Sequence, residues 1–446
     1  MEMAKMYGNV EKTIDDRKIW QWMGTMGLMA LVILGTHSSI FALAAFALTA
    51  AQLVFGDEEY SWKLCFFLFS FSTIFKLSPN STSLFTYLML LFDIVLFINR
   101  RTLPPLWILF AIYMVAVPYI SLEFSSFHLL KWIKLLCGLL MMLYFFDRDS
   151  IGDADELFLY FIAGVILASL TYYLDSGFFR ISRYKYEVGI YYAGMSEEEA
   201  NLRRFAGLYN DPNYYSVNVI ISMCLAVFLL HRRKIPMPLF ALIMALCFYF
   251  VKETYSKSSF LMLAIPILAF LYSNKLGKRR ILQFFSIAGI SLVVIYLFLT
   301  DGGSAFGVIF KRLSTSGSDL NSLTTGRLKL WTNYLNDLWP HPMVVLFGRG
   351  INAPLVKGIG PHNVYIQMLY HLGLVGSGIL MGILLQIFHT APRRANGNFL
   401  NNCVLLSLII MYFFLGMLFY YDPPYHLMIA FITKNLKLDE YPSVAA

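Results

Sequence analysis

Long apolar stretches recur from one end of this 446-residue sequence to the other, and they constrain its fold more than any other feature. Each stretch has about 17–25 residues, the length that a helix needs to cross the hydrocarbon core of a bilayer. Charged residues make up only 14% of the chain, whereas soluble proteins contain about 25%. The pattern therefore predicts a chain that folds within a membrane.

The apolar stretches predict an all-α polytopic integral membrane protein with about 12–14 transmembrane helices. We interpret residues 1–446 as a single polytopic membrane domain, because no soluble segment of domain size interrupts the stretches. The predicted spans are 20–37, 39–56, 62–77, 83–99, 104–122, 127–146, 156–174, 213–230, 236–251, 258–273, 282–299, 364–388, 400–421 and 424–434.

The orientation of the spans follows from their basic flanks, because cytoplasmic loops carry an excess of lysine and arginine. If the N-terminus is cytoplasmic, every tight basic cluster falls on the cytoplasmic side. The net charge of +8 fits this bias and requires no nucleic-acid partner. The clusters are Arg100–Arg101, Arg232–Lys234, Lys275–Arg280 and Arg393–Arg394.

Two connections are much longer than the rest, and both are predicted to be extracytoplasmic. The first long loop covers residues 175–212 and the second covers residues 301–363. Long ordered loops usually carry function, although disordered surface loops are the alternative. Part of the second loop, Leu328–Gly348, has the pattern of an amphipathic helix that lies on the outer leaflet.

Both long loops are rich in basic residues, against the usual bias for that side of the membrane. An anionic substrate would compensate for this charge. The alternative is that the side chains reach toward lipid headgroups. The basic residues of the two loops are Arg180, Arg183, Lys185, Arg203, Arg204, Lys311, Arg312, Arg327, Lys329, Arg349 and Lys357. Among them, Arg349 and Lys357 are candidates for substrate binding from their charge and position.

The two long loops end alike, with 211–213 (Asp-Pro-Asn) and 361–363 (Pro-His-Asn) leading into a span. Asparagine is a preferred helix N-cap, which makes Asn213 and Asn363 candidate caps. A helix N-terminus presents free N–H groups and a partial positive charge. Two such ends beside arginines predict a pocket for a phosphate or diphosphate.

His362 is the best candidate for chemistry, because a neutral imidazole accepts a proton near neutral pH. A structural hydrogen-bonding role is the alternative. His371 lies nine residues further along, on nearly the opposite face of the predicted helix. We therefore expect His371 to be a buried, hydrogen-bonded helix residue and not a partner of His362.

These residues resemble the O-antigen ligases and the related Wzy-type polysaccharide polymerases of bacteria. The ligase signature is a histidine followed by Asn, Ser or Gln, nine residues, glycine, two residues and glycine. Here His362–Asn363 is followed, after nine residues, by Gly373 and Gly376. Two further segments are similar to family patterns: Arg204 with Gly207 and Asn213, and Arg327 with Trp331 followed by Phe347–Gly350.

The resemblance covers roughly Arg203 to Gly376 and implies an all-helical, GT-C-like glycosyltransferase. It implies that Arg204 and Arg327 hold a diphosphate while His362 positions or deprotonates an acceptor hydroxyl. The reaction would be metal-independent, without a cofactor, and inverting at the sugar carbon. The substrate-binding residues that we expect around this catalytic set are Arg203, Asn213, Trp331, Arg349, Lys357 and Asn363.

The resemblance implies an enzyme of the bacterial inner membrane whose active site opens on the outer face. As a polysaccharide polymerase it would join lipid-linked repeat units of an O-antigen, capsule or exopolysaccharide. As an O-antigen ligase it would transfer the finished glycan to lipid A–core or another acceptor. A transporter of lipid-linked oligosaccharides is a third alternative. The expected partners are a glycan linked to undecaprenyl diphosphate and the lipid bilayer, with a chain-length regulator left open.

Overall fold

The computed structural model describes residues 2–75, 83–98, 104–120, 133, 135, 139–140, 154–175, 205–209, 211–273, 326–351, 353–390, 399–416 and 422–436. Within these ranges all regular secondary structure is helical. The α-helices are α1 (Glu2–Gly35), α2 (Ser39–Phe55), α3 (Glu58–Leu68), α4 (Leu84–Ile98), α5 (Pro105–Ile120), α6 (Ala154–Asp175), α7 (Pro212–His231), α8 (Met237–Glu253), α9 (Lys257–Met262), α10 (Ala264–Ser273), α11 (Arg327–Leu338), α12 (Pro342–Phe347), α13 (Val364–Thr390), α14 (Phe399–Met411) and α15 (Asp422–Asn435). Two 3₁₀ segments cover Phe69–Phe75 and Val356–Gly358.

Within the described ranges, three helices are long and apolar enough to cross a membrane: Ala154–Thr171 of α6, Pro212–His231 (α7) and Val364–Gln386 of α13. Shorter apolar helices coincide with other predicted spans. The all-helical prediction is thus confirmed for the described residues, whereas the count of 12–14 spans and the GT-C-like fold remain predictions. The predicted span 282–299 and most of 127–146 lie outside the described residues.

The chain divides into two compact units, so its description as one membrane domain remains a prediction. One unit comprises Met1–Leu91 and Glu156–Glu187, and the other comprises Phe92–Asp155 and Val188–Ala446. In the first unit, the phenol of Tyr60 donates to a backbone carbonyl of α1. The second unit is built around α7, whose residues from Tyr215 to Leu229 are all buried.

Two predicted spans are shorter as α-helices than their apolar length suggests. The span 62–77 is α-helical only to Leu68 and continues as a 3₁₀ segment rich in Ser and Thr, which compete for backbone hydrogen bonds. The span 400–421 ends as α14 at Met411. The next carbonyl, that of Tyr412, accepts a hydrogen bond from the N–H of Val364 at 2.9 Å, which ties this end to the start of α13.

The amphipathic segment Leu328–Gly348 forms two helices, α11 and α12, and not the single predicted helix. Pro340 and Pro342 explain the break, because a proline disfavours helical backbone in the residue before it and lacks an N–H. Tyr334 and Leu338 of α11 are fully buried and pack against Tyr370 of α13. The α11–α12 segment (residues 326–351 and 353–360) therefore shares a small apolar core with α13.

Helix α13 is kinked at Gly373, where the segment after α12 docks. Gly373 has φ 64° and ψ −173°, a conformation that side chains rarely adopt. A β-carbon on Gly373 would lie 2.4 Å from the N atom of Gly348 and the carbonyl oxygen of Leu346. A β-carbon on Gly376 would lie 2.2 Å from the ring of Tyr113 in α5. Both glycines of the predicted signature are therefore sites of close packing.

We predict that Gly373→Ala lowers the stability of the protein by more than about 1 kcal/mol, because alanine is strained at positive φ and would collide with the docked backbone. Gly378 is the matched control in the same helix, since nothing lies within 4 Å of a β-carbon there. Gly378→Ala should be neutral or stabilising. Thermal unfolding of the purified variants measures both effects, and equal midpoints would contradict the proposed role of Gly373.

Candidate functional site

Helix α7 has a polar end that carries Asp211 and a basic end that carries Arg232 and Lys234. At the basic end, Arg232 Nε lies 2.9 Å from Asp155 Oδ1, and Lys234 Nζ lies 3.2 Å from Asp155 Oδ2. The 20 residues of α7 separate the two ends by about 30 Å, which is the thickness of a bilayer core. The candidate site lies at the Asp211 end.

The cap of α7 is Asp211 and not Asn213, which corrects the prediction. The carboxylate of Asp211 accepts from the backbone N–H of Asn213 at 2.7 Å and from its side-chain amide at 2.8 Å. Pro212 takes the first helical position, where its missing N–H costs nothing. The side-chain oxygen of Asn213 accepts a hydrogen bond of 2.6 Å from Ser256 at the start of α9. Asn213 thus joins two helix ends and has its polar atoms bonded within the protein.

His362 lies between the α11–α12 segment and the end of α14. The indole N–H of Trp331 donates to the carbonyl of Pro361 at 2.9 Å, so Trp331 holds the residue before His362. A β-carbon on Gly416 would lie 3.0 Å from the backbone N of His362, so these two backbones are packed together. His362 itself has φ 48°. Such strained backbone costs about 1–3 kcal/mol and is often found at functional sites.

Arg327 is the first residue of α11 and approaches the same place. Its guanidinium lies 5.7 Å from the centre of the Phe414 ring, two residues before Gly416. Burial lowers the pKa of Arg327, while the charges of Asp211 and Tyr214 oppose that shift. The guanidinium remains protonated, because arginine does not lose its proton in proteins.

Arg327, His362 and Asp211 form one electrostatic cluster. Burial is the largest cause that lowers the pKa of His362, and the nearby charge of Arg327 lowers it further. The carboxylate of Asp211 acts in the opposite direction on His362. The imidazole is therefore mainly neutral near pH 7, so it can accept a proton.

Asp211 is the member of this cluster to which the sequence analysis assigned no role. The hydroxyl of Tyr214, on the first turn of α7, donates to the carbonyl of Gly416 at 3.4 Å and connects this turn to the residues beneath His362. Gly416 and Phe414 were also missed, since they lie inside a stretch that was predicted to continue as helix. The sequence did contain one signal for Asp211: an aspartate directly before a proline is typical of a helix N-cap.

Three further expected substrate-binding residues lie in the described part of the chain. Arg349 and Asn363 have partners within the protein, and Lys357 is exposed. Arg349 Nε lies 2.9 Å from Asp337 Oδ2, and its guanidinium lies 5.9 Å from the Tyr370 ring centre. Lys357 is exposed in the 3₁₀ turn. Asn363 caps α13 as predicted, because its side-chain oxygen accepts from the N–H of Ile366 at 3.1 Å.

Arg203 and Arg204 lie outside the described residues, so their roles remain predictions.

His371 is a buried helix residue, as expected from its position on the opposite face of α13. Its Nδ1 lies 2.7 Å from the carbonyl oxygen of Gly350, to which it is hydrogen bonded. The structure thus brings together His362 and Arg327 from the predicted catalytic set, with Trp331 and Asn363 supporting them.

Comparisons with family models, with curated proteins and with solved structures return no match for this chain. The resemblance to the ligases and polymerases therefore rests on the signature residues of the sequence and remains a prediction.

We predict that Asp211→Asn lowers the pKa of His362, because it removes the negative charge that opposes the effects of burial and Arg327. Arg327→Gln should raise that pKa for the converse reason. The rate at which diethyl pyrocarbonate modifies His362 reports its neutral fraction, and mass spectrometry of the His362 peptide follows this rate as a function of pH. Asparagine is also a good N-cap, so Asp211→Asn should leave α7 intact. An unchanged or raised pKa in Asp211→Asn would remove Asp211 from the cluster.

Proposed function

We propose that this chain is a membrane-bound polysaccharide polymerase that transfers a glycan from undecaprenyl diphosphate to a hydroxyl of another lipid-linked repeat unit. The observation that carries the proposal is the pairing of a mainly neutral His362 with a partly buried Arg327 at one end of α7. A neutral base beside a fixed positive charge suits a reaction in which a hydroxyl loses a proton while a diphosphate gains charge.

In this reaction the acceptor oxygen attacks the sugar carbon that carries the diphosphate. The bond between that carbon and the diphosphate oxygen breaks, and the configuration at the carbon inverts. The hydroxyl proton passes to the imidazole of His362, and undecaprenyl diphosphate leaves as an anion. Arg327 stabilises the negative charge that develops on the leaving group. The cost of burying Arg327 is partly offset by the carboxylate of Asp211.

The position of the cluster supports an outer-face active site in the bacterial inner membrane. The basic residues Arg232 and Lys234 lie at the opposite end of α7, and basic clusters favour the cytoplasmic side. With that end in the cytoplasm, Arg327 and His362 lie about 30 Å away at the outer boundary. A diphosphate carried by a lipid tail reaches this boundary while its sugars extend into water.

A ligase would use the same chemistry with another acceptor, such as lipid A–core. We favour the polymerase because this activity occurs in bacteria with and without an outer membrane. A chain-length regulator would be an additional partner.

We predict that purified protein in lipid vesicles converts lipid-linked repeat units, supplied alone, into a ladder of longer glycans. The product is resolved by gel electrophoresis after release from the lipid. Reaction only after addition of a second acceptor would replace the polymerase proposal with the ligase. Movement of intact repeat units across the vesicle membrane without glycosidic bond formation would indicate a transporter.

We predict that His362→Asn reduces the rate of glycan transfer by about 10²–10⁴-fold, the usual contribution of a general base. Asparagine tolerates the positive φ at this position, so the variant tests the imidazole and not the backbone. Arg327→Gln should lose about 10²–10³-fold, as when one donor to a developing anion is removed. His341, an exposed histidine of the same segment, supplies the control His341→Ala, which should stay close to wild type. Full activity of His362→Asn would exclude His362 as the base.

A further inference from the structure

We propose that α12 and the turn that follows it form a re-entrant segment, embedded in the hydrocarbon of the leaflet on the side of the candidate site. In this arrangement Met343 and Leu346 of α12, and Trp339 just before it, contact lipid tails. The proposal requires that α7 and α13 cross the membrane, and its second line of evidence requires the same of α5, so it is independent of the proposed glycosyl transfer.

The depth of α12 follows from its docking position on α13. His362, at the start of α13, belongs to the cluster at the Asp211 end of α7, where the bilayer core ends. Gly373 follows Val364 by nine residues, which corresponds to roughly 14 Å along the helix. The backbone of Leu346 and Gly348 packs against Gly373. The end of α12 therefore lies well below the membrane boundary.

Helix α5 indicates the same depth independently. The hydroxyl of Tyr113 donates to the carbonyl of Phe347, the last residue of α12, at 2.8 Å. Tyr113 is near the middle of α5, a 16-residue apolar helix that runs from Pro105 to Ile120. A residue in the middle of a spanning helix lies near the bilayer centre, and a tyrosine side chain reaches only about 6–7 Å from its backbone. Phe347 is thus placed inside the leaflet.

The backbone of the turn is hydrogen bonded in the way that a membrane interior requires. Non-helical backbone is tolerated at membrane depth only where the protein satisfies its polar groups. The N–H groups of Arg349 and Gly350 donate to the carbonyls of Tyr370 and His371 at 2.9 and 3.1 Å. The charge of Arg349 is paired with Asp337, as expected for an ionised group close to hydrocarbon.

Large apolar side chains are exposed on this segment. Trp339, Met343 and Leu346 are 80%, 63% and 42% exposed in the isolated protein, and the exposed His341 lies between the first two in sequence. On α13 the exposed large apolar residues begin just after the docking point, at Leu374 and Val375. At the depth of Gly373 the surroundings of a membrane protein are hydrocarbon and not water. Lipid tails are therefore the occupant that the depth of the docking point selects.

Thiol labelling of Met343→Cys tests the proposal, with Lys329→Cys on the exposed side of α11 as the matched control. The proteins are labelled in vesicles opened by freezing and thawing, so that both membrane faces meet the reagent. We expect a charged maleimide to modify Lys329→Cys but not Met343→Cys. A lipid-soluble pyrene maleimide should modify both, Met343→Cys more slowly because hydrocarbon disfavours the reactive thiolate. The unmodified chain, with its native cysteines, gives the background.

Two results would overturn the proposal. Equal labelling of Met343→Cys and Lys329→Cys by the charged maleimide would place α12 in water. Protection of Met343→Cys from both maleimides, together with a disulfide-linked dimer after oxidation, would show that a second copy of the chain covers this surface in place of lipid. Glycan transfer is not measured in this experiment, so its outcome is separate from that of the polymerase proposal.

Discussion

The arrangement of the second unit depends on the close approach of two backbones, that of Leu346–Gly350 and that of α13 at Gly373. Any side chain at Gly348 or Gly373 would occupy space that the other backbone fills. This contact anchors the α11–α12 segment to a helix long enough to cross a membrane. From that anchor, the apolar core around Tyr334 and the bond from Trp331 to Pro361 hold the segment over His362.

The anchoring of this segment also has an electrostatic consequence. Arg327 and His362 come from different parts of the chain and are both partly buried, so the charge of Arg327 lowers the pKa of His362 more than it would in water. Asp211 offsets part of the cost of burying the arginine and also acts on the histidine. The site therefore holds a positive charge and a neutral base side by side. On an exposed surface, water would screen the charge of Arg327 and weaken its effect on the pKa of His362.

Much of the helical structure was predictable, because long apolar stretches are a strong signal for helices in a chain with few charged residues. The start of α13 at Asn363 and the burial of His371 were also predicted correctly. The helix breaks were harder. Proline pairs mark the break between α11 and α12, whereas the end of α14 depends on a backbone bond from Val364, which no local pattern reveals.

The candidate site was predictable in its residue types but not in its pairings. His362 and Arg327 were selected from the sequence, and the structure brings them together. Arg349 was selected from its charge and position, but its partner Asp337 lies one helix away and could not be inferred from spacing. The role of Asp211 depends on contacts across α7, α11 and α13 and was missed for the same reason.

Because α14 ends early, at Met411, its length determines where the residues that contact Arg327 and His362 lie. Residues 412–416, just past its last turn, contact Arg327 through Phe414 and the backbone of His362 through Gly416. One residue more or less in α14 would rotate this platform by about 100° and shift it by about 1.5 Å. Both side chains would lose their contacts with residues 412–416 together, so the geometry of the site constrains the length of α14.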